Sequence, residues 1–124
     1  MIIPNIFIVE DDLNIVKLYI NALQVFGHIV VGCAYDGMEA ILKFKDFMTK
    51  PDLIIMDHRM PIKNGIDTMK EILEIEPNMK IIFASADIQI RDIAMKAGAI
   101  SFQEKPFSII QLKEKINKAL DPKG

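Results

Sequence analysis

Short apolar runs alternate along the chain with stretches whose apolar residues recur at helical spacing. The runs fall near Asn5–Val9, Ile29–Ala34, Asp52–Met56, Lys80–Ala84 and Ile100–Gln103. Their near-continuous apolar character predicts strands of a parallel sheet covered on both faces by helices. In the first intervening segment Val16, Tyr19, Ile20, Leu23 and Phe26 follow the i, i+3, i+4, i+7 spacing of one buried stripe, and Gly27 ends it. Asp36 with Glu39, and Ser108 with Gln111, have capping-box spacing at the starts of the second and fifth helices. A turn-rich segment from Asp57 to Gly65, containing Pro61 and Asn64, leads into the third helix. Ile90, Ile93, Ala94 and Ala97 form the predicted buried stripe of the fourth, which Gly98 closes.

Five strand-helix units in strict alternation define the α/β class. Right-handed crossovers with helices on both faces leave few arrangements, of which the flavodoxin-like (βα)5 doubly wound sheet, five parallel strands in order 2-1-3-4-5, is the expected one. The 124 residues contain no linker, repeat or low-complexity tract, so one domain spanning residues 1–124 is predicted.

Composition narrows the function classes. A net charge of -2 with Lys and Glu interspersed provides no basic field for nucleic-acid phosphates, so direct nucleic-acid binding is not expected. No apolar stretch reaches membrane-span length, and Met1-Ile2-Ile3-Pro4 lacks the basic start and long apolar stretch of a signal peptide. The single cysteine, Cys33, lies in an apolar run, reads as an inert buried thiol and is consistent with a cytoplasmic address.

The chemistry lies where the apolar runs end. Glu10, Asp11, Asp57, Ser85 and Lys105 each fall at such an end, and in an open parallel sheet those positions converge on the ligand-binding crevice. Carboxylates about 4 Å apart repel by roughly 4 kcal/mol at an effective dielectric near 20, so the cluster must protonate or recruit a cation. With no thiolate or histidine set, the donors suit a hard divalent ion, Mg2+, with Mn2+ as a substitute of the same class. Lys105 can meet the charge of an arriving phosphoryl group and Ser85 can hydrogen-bond its oxygens. Asp57 is the nucleophile candidate, suited to holding an acyl phosphate.

These residues give the chain its resemblance to the receiver domain of two-component response regulators. The matching pieces are Ile8-Val9-Glu10-Asp11-Asp12, Asp57-His58-Arg59-Met60-Pro61 with Gly65, Ala84-Ser85-Ala86, Lys96-Ala97-Gly98-Ala99 and Lys105-Pro106-Phe107. The resemblance covers Asn5 to Leu120 and rests on the order and spacing of all five. It implies that Asp57 accepts a phosphoryl group from a sensor histidine kinase or a histidine phosphotransfer protein. Mg2+ would be held by Asp11, Asp57 and the backbone carbonyl of Arg59, with Glu10 acting through metal-bound water. It further implies that Ser85 and then Phe102 move inward as the switch, remodelling the fourth helix, fifth strand and fifth helix for a downstream protein, a fused output domain or a homodimer. The Lys105-Pro106 peptide would be cis.

Several positions carry two readings. Arg59 and Asp87 either form an ion pair that narrows water access to Asp57 or are two solvated charges. His58, one step along the strand from Asp57, should point away from the crevice and is expected at the surface, and His28 is expected to be an ordinary loop residue. Ile88 and Met95 on the fourth helix, and Leu18 on the first, are either output and kinase-docking surfaces respectively or ordinary scattered apolar residues. Three other functions compete: an aspartyl-nucleophile phosphatase, which usually has a second Asp where Arg59 stands; a flavin or nucleotide carrier, which needs a phosphate loop after the first strand; and an unphosphorylated scaffold. Within the receiver reading, a stand-alone regulator and a module of a longer chain both remain open.

Overall fold

The computed structural model describes residues 3–121. It contains β1 (Asn5–Val9), α1 (Leu13–Val25), β2 (Ile29–Ala34), α2 (Gly37–Asp46), β3 (Leu53–Asp57), α3 (Gly65–Ile75), β4 (Ile81–Ser85), α4 (Ile90–Ala97), β5 (Ser101–Glu104) and α5 (Ile109–Leu120). The sheet is parallel throughout in the order β2-β1-β3-β4-β5. The first two strands match the apolar runs, whereas the last three begin and end one residue later than expected. Asp57 and Ser85 are therefore the last residues of their strands, held by the ladder rather than by a loop.

Strand alternation divides the core in two. Phe7, Val9, Ile54, Met56, Ile81 and Phe83 face one side, where α2, α3 and α4 supply Phe44, Met69, Ile72 and Ala94. Ile6, Ile8, Leu53, Ile55 and Ile82 face the other and meet Val16, Leu23, Leu112 and Ile116 of α1 and α5. Since successive side chains point to opposite faces, every central strand must be apolar at nearly every position.

The caps hold with one change. Ser108 and Gln111 form the full reciprocal box. Asp36 accepts from Glu39 N, but the Glu39 carboxylate reaches one residue further back, to Tyr35 N at 2.6 Å. Gly27 at φ 86° and Gly98 at φ 120° end α1 and α4 in backbone that favours glycine.

On α1 the predicted stripe buries Val16, Tyr19 and Leu23, while Ile20 and Phe26 are half-buried at its border and Ala22 joins the core. The α4 stripe needs a larger correction. Ala94 is buried, Ile90 and Ala97 are half-buried, and Ile93 is 51% exposed. Ile93 lies about 100° around the helix from Ala94, and the eight-residue helix presents a stripe narrower than the periodicity implied.

Candidate functional site

Strand register assembles the site. Val9 pairs with Met56, so Glu10 stands level with Asp57, and Asp57 in turn pairs with Ala84 beside Ser85. Ser85 pairs with Glu104, and Lys105 N donates to Ser85 O at 2.9 Å. Glu10, Asp57, Ser85 and Lys105 thus share the C-terminal edge of four adjacent strands, and with Asp11, Arg59 and Asp87 they line a crevice of about 630 Å³.

Lys105 links the acids. Its Nζ donates to Glu10 Oε1 at 2.6 Å and to Asp57 Oδ1 at 2.9 Å. Glu10 is 1% exposed and Asp57 8%, whereas Asp11 is exposed at the mouth. Carboxylate oxygens of Glu10, Asp11 and Asp57 lie within 4.8 Å of one another. Three acids around one ammonium leave an excess of negative charge in a partly dry site, and the all-oxygen donor set fits Mg2+. No comparable fit exists for a soft metal, because neither Cys33 nor a histidine lines this crevice.

Burial pushes the Glu10 carboxyl up to about 7, the Lys105 hydrogen bond pulling it down and the Asp57 charge adding to the rise. For Lys105 burial acts downward, but the hydrogen bonds to Glu10 and Asp57 outweigh it and hold the ammonium above its ordinary value. The Glu10 shift has a testable sign. A carboxyl that keeps its proton longer when folded than when unfolded makes the folded state bind more protons between about pH 4.5 and 7. Metal-free protein should therefore lose stability as pH rises through that window, by an amount on the order of 1–3 kcal/mol from this group. Urea unfolding at pH 5 and 8 should show Glu10→Gln close to wild type at the lower pH and more stable at the higher. Equal differences at both pH values would contradict it.

The surroundings fix the backbone. Asp12 caps α1, its Oδ1 accepting from Asn14 N at 2.9 Å, while its own N donates to Glu10 Oε2 at 3.2 Å. It therefore orients Glu10, a role that capping chemistry at the start of α1 could have suggested. The Lys105-Pro106 peptide is cis. Gly65 N donates to His58 O at 2.9 Å, folding the β3-α3 loop back beneath Asp57.

Other expectations change. Arg59 and Asp87 both line the crevice but form no ion pair; Asp87 Oδ1 instead accepts from Gln89 N at 3.0 Å. Phe102 is buried, its ring stacked on Phe83 with centroids 6.4 Å apart. Ser85 is buried with its Oγ accepting from Asp87 N at 3.1 Å. His58 does point away from the crevice, but it is half-buried against Phe83 rather than at the surface, and its Nδ1 is buried with no partner. His28 is half-buried against Phe26, with both ring nitrogens buried and unpartnered. Cys33 is half-buried, and burial raises its thiol pKa, as an unreactive thiol requires.

The chain belongs to the response regulator receiver domain family, whose family model matches residues 6–117. It is 41% identical over 115 residues to a chemotaxis protein CheY of Thermotoga maritima, a match covering 91% of this chain and 94% of that one. The response regulator protein TrrA of Thermotoga maritima, solved in complex with Mg2+ and beryllofluoride, is similar with TM-score 0.86 at 34% identity, covering 95% of this chain and 100% of that one. A chain of the CheX-CheY-BeF3-Mg complex of Borrelia burgdorferi gives TM-score 0.88 at 28% identity, covering 92% and 87%. Accordingly, this is a phosphoacceptor signalling domain of the two-component type, with an acidic cluster suited to Mg2+. Among the described residues no helix is long and apolar enough to cross a membrane.

Proposed function

We propose that Asp57 is the phosphoacceptor and that residues 1–124 act as one receiver unit. The observation that carries this reading is Lys105 Nζ bridging Glu10 and Asp57 inside the three-acid cluster. A free oxygen of Asp57 attacks the phosphorus of a phosphohistidine. The phosphorus-nitrogen bond breaks, its electron pair returns to the imidazole, and an acyl phosphate forms on Asp57. Lys105 then exchanges its bond to Asp57 for one to a phosphoryl oxygen, and Ser85 Oγ, released from Asp87 N, donates to another. Asp11, Asp57 and the Arg59 backbone carbonyl would hold Mg2+, with Glu10 reached through water; the ion supplies charge neutralisation at the phosphoryl oxygens. Mn2+ is expected to substitute.

Movement of Ser85, with repacking of Phe102 over Phe83, is the proposed switch that remodels the α4-β5-α5 surface. Exposed Ile88, Ile93 and Met95 make that surface apolar enough for a downstream protein, a fused output domain or a homodimer. On the other side Leu18 lies at an apolar groove of about 450 Å³ with Ile15, Phe107 and Ile109, where a sensor histidine kinase or histidine phosphotransfer protein would dock. Arg59 and Asp87 act as modulators at the crevice mouth, Asp87 through the turn in which its Oδ1 accepts from Gln89 N and not through its charge. The domain works in the cytoplasm and assists its own phosphorylation and dephosphorylation without being a turnover enzyme.

The test is intact mass after incubation with acetyl phosphate, with Mg2+ and with a chelator. A labile gain of one phosphoryl group, seen with Mg2+ and lost with the chelator, is the expected result. Steady turnover of a phosphate ester would identify a phosphatase instead, and absence of any gain with donor and kinase alike would return the scaffold reading.

A further inference from the structure

We infer that Gln89 orients the water that hydrolyses the acyl phosphate on Asp57, and so sets how long the signal lasts. This rests on the reading of Asp57 as phosphoacceptor. In hydrolysis the water oxygen attacks phosphorus and the bond from phosphorus to the Asp57 carboxylate oxygen breaks, its electron pair returning to the carboxylate. Inorganic phosphate leaves with one proton of the water, and the other passes to solvent. The group that orients such a water must accept a hydrogen bond from it without adding negative charge beside a dianionic phosphoryl group.

The wall of the crevice contributed by the β4-α4 loop and Arg59 offers few such groups. Ala86 has no polar side chain, and the Arg59 guanidinium has donors but no acceptor. Asp87 is charged, and it is folded into the turn by Ser85 Oγ on its N and by Gln89 N on its Oδ1. Gln89 combines what the task needs. Its backbone is anchored at 3.0 Å to Asp87 Oδ1, at the entry to α4, while the residue, exposed, lines the crevice and its side chain makes no cap hydrogen bond. A neutral carboxamide can accept from the water through its oxygen. Glutamine serves GTP hydrolysis in this way, by orientation and not as a base. The residue the sequence pointed to on this wall, Asp87, is thus the one that holds Gln89 in place.

The experiment follows wild type, Gln89→Ala and Asp87→Asn loaded with acetyl phosphate and Mg2+, then freed of donor, by intact mass over time. In Gln89→Ala the first-order loss of the phosphoryl group should slow about five- to tenfold, with the rate of phosphoryl gain and the urea midpoint unchanged, because uptake from acetyl phosphate uses no water. Asp87→Asn, which keeps an oxygen for Gln89 N, should decay within about twofold of wild type. Unchanged or faster decay in Gln89→Ala would overturn the inference. So would a parallel fall in uptake and decay, which would mark a structural role. A wild type that takes up no phosphoryl group would instead defeat the underlying reading.

Discussion

Asp57→Asn should abolish phosphoryl uptake while making the metal-free protein more stable. The carboxylate is 8% exposed and meets two negative neighbours, Glu10 and Asp11, against one positive, Lys105. At an effective dielectric near 20 each close pair is worth about 4 kcal/mol, so one attraction cannot offset two repulsions together with the desolvation of a buried charge. The asparagine oxygen keeps a bond to Lys105 Nζ and removes the excess charge. Urea unfolding without metal at pH 8, where Glu10 has lost its proton, should show a gain of about 1–2 kcal/mol. Because the Asp57 charge helps to raise Glu10, the Glu10 carboxyl should also move toward its ordinary value, as a carbon-detected NMR titration would show. Addition of Mg2+ should then stabilise wild type far more than the variant. A less stable variant would mean that Lys105 and the sheet already balance the cluster without metal. Intact mass with acetyl phosphate reads the loss of function directly, and a remaining labile gain would place the acceptor elsewhere.

Gly65→Ala should be severely damaging. A Cβ there would stand 2.1 Å from Asp57 O and 2.8 Å from His58 Cα, both main-chain atoms that cannot rotate away. Either the β3-α3 loop lifts, breaking the bond from Gly65 N to His58 O, or β3 shifts at its last residue. We expect a loss of about 3–5 kcal/mol in urea unfolding. In whatever fraction folds, Mg2+ binding by titration calorimetry should be weakened at least tenfold, since Asp57 moves with its own carbonyl. Gly27→Ala provides the contrast. Nothing lies within 4 Å of its Cβ position, and only its φ of 86° resists the change, so a cost of about 1 kcal/mol is expected. Similar losses in the two variants would show that small shifts of the loop relieve the close approach to Asp57.

The contrast between these two glycines separates what local sequence carries from what it does not. Both occur in turn-rich surroundings, and both mark element ends that were legible in advance. The alternation of apolar runs with helical stripes, the Ser108-Gln111 box and the glycine stops after α1 and α4 are local signals, set by side-chain period and by the needs of a few neighbouring peptide groups. They were enough to determine the α/β class, the strand order and the gathering of Glu10, Asp11, Asp57, Ser85 and Lys105 at one sheet edge. The order and spacing of five short motifs added the family.

Tertiary structure decided how those residues meet. Lys105 reaches Glu10 across 95 positions of chain and Asp57 across 48, and only strand register brings the three level. The same register turned His58 onto Phe83 and left Phe102 stacked there. A backbone turn took the Asp87 carboxylate from Arg59 and left Gln89 on the crevice wall. On α4, docking through Ala94 left Ile93 in solvent although its period matched the core. Sequence pattern fixes which positions are apolar, polar or turn-forming because those preferences are local free energies. Which acid meets which base, and which glycine lies under a carbonyl, depends on distances between segments that no local preference encodes.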